Sequence, residues 1–142
     1  MTPTNANQTD STATPTDAPT LVVGGGPAGR DAAARLATAG ETVTHVDRAP
    51  PTDPPPGYDV RTVDSLDAAD VRGLRLGDAN AVVALGADDA STLLVAQHAR
   101  IAGVDRVLAL VTDPERRCAF DALDVETVDA ASALGRAVAD RW

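Results

Sequence analysis

The chain of 142 residues has room for one domain with a real core. It carries a formal net charge of −9: the twelve basic residues are all Arg, and eighteen of the twenty-one acids are Asp. This excludes the basic stripe of a nucleic-acid binder, the single Cys118 excludes an internal disulfide and a thiolate zinc site, and no run reaches the roughly eighteen apolar residues of a membrane helix.

In chain order, residues 1–19 are rich in Thr, Pro, Asn, Asp and Ala, with neither a basic start nor an apolar stretch. They read as a disordered tail and not as a secretory signal. One domain is expected over 20–142. Its first strand is Thr20–Val23 and its first helix runs from about Pro27 to Ala39, with Pro27 in the first turn. Ala28, Ala32 and Leu36 are expected to face the sheet, Asp31 and Arg35 to pair outside, and Gly40 to stop the helix. Strand two is Thr42–Val46. The segment Arg48–Gly57 holds five prolines and reads as an extended connection where a crossover helix is usual. One face of strands two and three is then under-covered, or a partner covers it.

Strand three is Asp59–Val63, followed by a short helix from about Leu66 to Gly73. Ala81–Leu85 reads as a buried parallel strand. Asp88 or Asp89 caps a long helix to about Ala102, with Leu93, Leu94, Ala96, Gln97 and Ile101 on its inner side. Arg106–Val111 is strand five, a helix from Asp113 to Leu123 follows, and Val125–Val128 with Ala130–Arg141 close the chain. The alternation predicts an α/β, doubly wound parallel sheet of about six strands in the order 3-2-1-4-5-6, with right-handed crossovers.

The stretch from Leu21 to Asp47 carries the chemistry. Its glycines stand as Gly24-x-Gly26-x-x-Gly29 between a strand and a helix, with Asp47 eighteen residues after the last. This is the dinucleotide-binding spacing. Gly24 permits the tight turn, Gly26 lets a pyrophosphate approach the backbone, and Gly29 lets the helix pack on the sheet. The helix start offers free N–H groups to an anion. Asp47 is placed to accept ribose hydroxyls, which favours NAD over NADP.

The second half adds a family resemblance. Asp78–Glu115, DANAVVALGADDASTLLVAQHARIAGVDRVLALVTDPE, together with Gly24, Gly26, Gly29 and Asp47, resembles the TrkA-N/RCK nucleotide-binding domain that regulates potassium transporters and channels. The resemblance implies a ligand across the carboxyl ends of strands one, two and four: NAD(H) first, with ATP or ADP as alternatives. It implies phosphate contacts from Gly24, Gly26, Gly29 and Arg30, with Pro27 and Ala28 completing the loop. Asp47 would take the ribose, Arg48 the adenosine flank and Asp64 the adenine, while Gly86 and Ala87 border the far side. The chain departs from the family at Val63, Asn80, Thr92 and Leu110, in its proline loop, and in ending at Trp142 with no RCK-C domain or membrane segment. A regulatory role then works in the cytoplasm, through a homodimer and a separate transporter or channel subunit. The acidic, Lys-free composition resembles that of halophilic, salt-accumulating archaea.

A second resemblance is to the opening of two-domain flavoproteins, in VVGGGPAG from Val22 to Gly29. It implies the alternative of a small NAD(P)- or FAD-dependent oxidoreductase, or a fragment of one. No catalytic set supports an enzyme. His45 falls mid-strand and reads as a packed core residue, and His98 as a helix residue. Cys118 reads as a small core residue, and of Asp88 and Asp89 one is a cap and the other solvated.

Overall fold

The computed structural model describes residues 18–142, so the tail expected over 1–19 lies outside the described residues as far as residue 17. The carbonyl of Pro19 accepts from Asn80 N–H at 2.8 Å. From there six parallel strands form one sheet: β1 (Thr20–Gly24), β2 (Val43–Asp47), β3 (Tyr58–Thr62), β4 (Ala81–Leu85), β5 (Arg106–Val111) and β6 (Glu126–Asp129). Their order is β3-β2-β1-β4-β5-β6, as the alternation of elements predicts.

Five helices connect and flank them: α1 (Gly26–Thr38), α2 (Ala68–Gly73), α3 (Asp89–Ile101), α4 (Arg117–Asp121) and α5 (Ala130–Arg141). Short 3-10 turns occupy Leu76–Asp78 and Pro114–Arg116. The helix expected from Asp113 to Leu123 is therefore divided into a 3-10 turn and a short α-helix. Asp31 and Arg35 pair at 2.7 Å on the outer face of α1.

Strand residues alternate between the two faces, and each face has its own core. On one side Leu21, Val23, Val46, Val82, Ala84, Val107 and Val111 pack under α2 and α3, with Phe120 of α4 closing the layer. On the other, Val22, Val43 and Tyr58 pack against Ala33, Leu36 and Ala37 of α1. Full burial of one such Val contributes about 1.5–3 kcal/mol.

Three helix or strand faces differ from those expected. The sheet-facing line of α1 is Gly29–Ala33, with Leu36 and Ala37 half-buried, while Ala28 is exposed. On α3 the buried line is Thr92, Val95, Ala96 and Ala99; Gln97 and Ile101 point outward, and Ile101 is 84% exposed. The run in β4 is fully buried only on the α3 side, through Val82 and Ala84, because Val83 and Leu85 face the side that α1 covers alone. A groove of about 650 Å³ opens there, beside Leu36, Val83 and Leu108. This groove lies over β1, β4 and β5, and not over β2 and β3, where the missing crossover helix was expected to leave the sheet under-covered.

Candidate functional site

Gly24, Gly25 and Gly26 turn β1 into α1 through three consecutive left-handed conformations, φ 83, 91 and 52°. A Cβ on Gly24 would lie 2.6 Å from the carbonyl oxygen of Leu85, so β4 passes too close for a side chain. A Cβ on Gly26 would meet nothing within 4 Å, and the backbone there faces open space. One turn into α1, a Cβ on Gly29 would overlap the carbonyl oxygen of Gly24 and sit 2.8 Å from His45 Nε2. The fingerprint glycines thus do three different things: they fit a strand, free a surface and seat a helix.

No acid stands in the first turn of α1, and its N-cap Gly25 has no side chain to offer. The next strand supplies both. Asp47, last residue of β2, accepts from Gly26 N–H at 2.9 Å through Oδ2 and from Arg48 N–H at 2.7 Å through Oδ1. A carboxylate against the positive end of a helix is stabilising.

In front of this contact lies a cleft of about 510 Å³, bordered by Gly26, Pro27, Arg30, Asp47, Arg48, Ala49, Thr62, Val63 and Asp64. It spans the carboxyl ends of β1, β2 and β3. Arg30 reaches across it to the Ala49 carbonyl, 3.5 Å away. On a chain of net charge −9, two guanidinium groups at one helix start are where an anion finds bidentate donors. Of the residues predicted from sequence, Gly26, Pro27, Arg30, Asp47, Arg48 and Asp64 come together here. Gly24 and Gly29 are buried and do not line it. Ala28 lies outside, on the exposed side of α1. Gly86 and Ala87 stand beyond Gly24 at the end of β4, where Gly86 N–H donates to Thr92 Oγ1 at 2.8 Å.

Beneath the cleft is a buried polar pair, His45 and Tyr58, that sequence reasoning did not bring together. His45 is 0% exposed; its Nδ1 lies 2.7 Å from the Tyr58 hydroxyl and its Nε2 3.0 Å from the Gly24 carbonyl oxygen. Nε2 is also 3.3 Å from Asp47 Oδ2. The two-residue spacing of His45 and Asp47, which puts both on one face of β2, links His45 to the site; nothing local in the sequence links Tyr58 to it. Burial pushes the Tyr58 phenol above its ordinary pKa, with Arg30 opposing and Asp47 adding to the shift.

Two other expectations are corrected. Asp88 is the cap of α3, accepting from Ser91 N–H at 2.8 Å, but Asp89 is not solvated. It is buried and binds the loop after β5. Cys118 is exposed; α4 is too short to bury more than Phe120. His98 is half-buried, with Nδ1 3.0 Å from its own helix's Leu94 carbonyl. Among the described residues no helix is long and apolar enough to cross a membrane, and no cluster of metal-ligating side chains occurs.

The fold has close counterparts among solved structures. The NAD(P)-binding domain of an exopolyphosphatase-related protein from Archaeoglobus fulgidus is 24% identical, with a TM-score of 0.67 over 86% of this chain and 95% of that one. The GsuK channel bound to NAD is 20% identical, with a TM-score of 0.66 over 84% of this chain but only 22% of the channel's. The Kef C-terminal domain of Shewanella denitrificans in its AMP-bound form is 18% identical, with a TM-score of 0.59 over 82% of this chain and 76% of that one. No curated protein matches the sequence. The model of the TrkA-N domain matches residues 20–130, from the first residue of β1 to the first of α5. The chain belongs to the TrkA-N domain family.

Proposed function

We propose that this chain is a regulatory domain that binds an adenine nucleotide, NAD(H) first and ATP or ADP as alternatives, at the cleft in front of Gly26. The observation that carries the reading is the Asp47–Gly26 contact. It sets a ribose acceptor against the helix start, where the phosphates of the same ligand would lie beside Arg30. Arg48 and Asp64 then flank the adenosine. The NAD-bound and AMP-bound states of the channel and Kef structures support the choice of ligand.

The regulatory part of the reading follows the family: a cytoplasmic domain whose ligand biases a homodimer and, through it, a potassium transporter or channel subunit. A dimer is supported by α5, which leaves the sheet with Leu134 and Val138 68% and 58% exposed, one turn apart, and Trp142 a turn further. Thermal-shift titration with NAD, NADH, NADP, ATP, ADP and FAD tests the ligand. At a hundredfold its dissociation constant a ligand adds about 2.7 kcal/mol. The expected shift comes from NAD(H) or an adenosine phosphate and disappears in Gly26→Trp and Asp47→Ala; no shift with any of the six removes the reading.

A further inference from the structure

We propose that His45 and Tyr58 are positioning residues of the nucleotide site, holding the glycine turn and the Asp47 carboxylate in one hydrogen-bonded unit. The inference rests on the nucleotide reading above and names the part of the fold that sets its geometry.

The proton positions follow from the partners. A carbonyl oxygen only accepts, so His45 Nε2, 3.0 Å from the Gly24 carbonyl oxygen, carries the hydrogen. In the neutral ring Nδ1 is then an acceptor, and the Tyr58 hydroxyl, 2.7 Å away, donates to it. Burial keeps that phenol protonated and therefore a donor. Tyr58 thus fixes the tautomer that His45 needs to serve the loop.

His45 Nε2 stands beside two oxygens that shape the site. One is the carbonyl of Gly24, first residue of the left-handed turn. The other is Asp47 Oδ2, 3.3 Å away. A carboxylate offers about four acceptor positions. Gly26 N–H occupies one on Oδ2 and Arg48 N–H one on Oδ1, while His45 Nε2 crowds the rest of Oδ2 from 3.3 Å, which leaves Oδ1 as the side open to a ribose hydroxyl. Removing His45 leaves Gly26 N–H alone on Oδ2 and gives the carboxylate room to rotate away from that arrangement.

Packing alone does not call for this ring. The position is 0% exposed, and its neighbours along β2, Val43 and Val46, are ordinary valines. Gly29 also bears on it, since a Cβ there would sit 2.8 Å from Nε2. At its far end the unit is tied to the proline loop: Tyr58 N–H donates to the Pro55 carbonyl at 3.2 Å, and Val43 N–H to Gly57 at 2.9 Å. The register of that loop sets where the hydroxyl stands, and so whether His45 keeps its tautomer.

The test combines imidazole nitrogen NMR with NAD and ATP titrations of the full chain, as wild type, Tyr58→Phe, His45→Gln and His45→Leu. In the wild type His45 is expected as the Nε2–H tautomer, with loss of that single state in Tyr58→Phe. Affinity is expected to fall about two- to tenfold in Tyr58→Phe, the worth of one hydrogen bond, and further in His45→Leu. The amide donor of His45→Gln should restore part of it. An Nδ1–H tautomer in the wild type, or unchanged affinity in both Tyr58→Phe and His45→Leu, overturns the positioning role alone. Failure of NAD and ATP to bind the wild type overturns the nucleotide reading and the positioning role together.

Discussion

Asp89, in the first turn of α3, takes both the backbone N–H and the hydroxyl of Thr112 on Oδ1, each at 2.9 Å, and Asp113 N–H on Oδ2 at 2.9 Å. It pins the end of β5 to the start of the helix before it. Burial pushes this carboxyl's pKa up, but the three hydrogen bonds, with Arg116 nearby, outweigh burial and bring it below the ordinary value. The sign follows: a depressed folded pKa stabilises above the unfolded value near about 4, and the contribution is lost as pH falls through the folded value. Asp89→Ala is expected to cost about 2 kcal/mol in urea unfolding at neutral pH, since it orphans two backbone N–H groups. The gap to wild type should narrow below about pH 4.

Gly29→Ala and Gly26→Ala should part company. At Gly29 the added methyl collides with the Gly24 carbonyl and the His45 ring, so α1 must lift from the sheet. A loss of about 3 kcal/mol or more is expected, as for overpacking against backbone. At Gly26 the methyl meets nothing, and only the positive φ of 52° opposes it, at about 1 kcal/mol. Thermal unfolding of the two variants measures the difference. Nucleotide affinity should drop in Gly26→Ala although the fold survives.

Asp47→Ala is expected to weaken NAD binding about ten- to a hundredfold, the worth of hydrogen bonds to a charged acceptor. NADP, whose 2′-phosphate the carboxylate repels, should lose less or gain. Isothermal titration of both ligands against both proteins reads the ratio. An equal loss for both would place the carboxylate away from the ribose.

The paired change Leu134→Asp and Val138→Asp should turn a dimer into a monomer in sedimentation equilibrium. Both side chains are more than half exposed in the single chain, so its own stability should shift by less than about 0.5 kcal/mol. A wild type that sediments as a monomer at all concentrations would remove the dimer from the reading.

Raising KCl from low to molar concentration should raise the melting temperature. With a net charge of −9, self-repulsion opposes the compact state until salt screens it. The Asp89 clamp is buried and should not weaken in parallel, so Asp89→Ala and wild type should gain alike.

The sheet order and the Gly26–Asp47 side of the cleft were legible because their signals are local: a glycine spacing, a strand-ending acid, a turn at each helix end; that the cleft opens over β3 and not toward Gly86 and Ala87 was not. The faces of α1 and α3 were not. Ala occupies most sides of α1, and Leu, Val, Ala and Ile are spread around α3, so the 3.6-residue period has little contrast, and Gly29–Ala33 buries as readily as Ala28–Ala32 would. Asp89 looked like one of two equivalent acids because Thr112, the residue that gives it a role, is 23 positions away. His45 and Tyr58 are 13 apart and meet only when β2 and β3 pair in parallel register.

The exposure of Cys118 has a practical side. The chain has one thiol and no lysine, so thiol-directed reagents have a single address and ε-amine reagents have none. That address lies on α4, five residues after Asp113, whose N–H is held by Asp89. A dye attached there sits at the carboxyl end of β5, on the opposite half of the sheet from the proline loop. Placed so, it can report on ligand occupancy or subunit exchange by fluorescence without touching Gly26, Asp47 or His45.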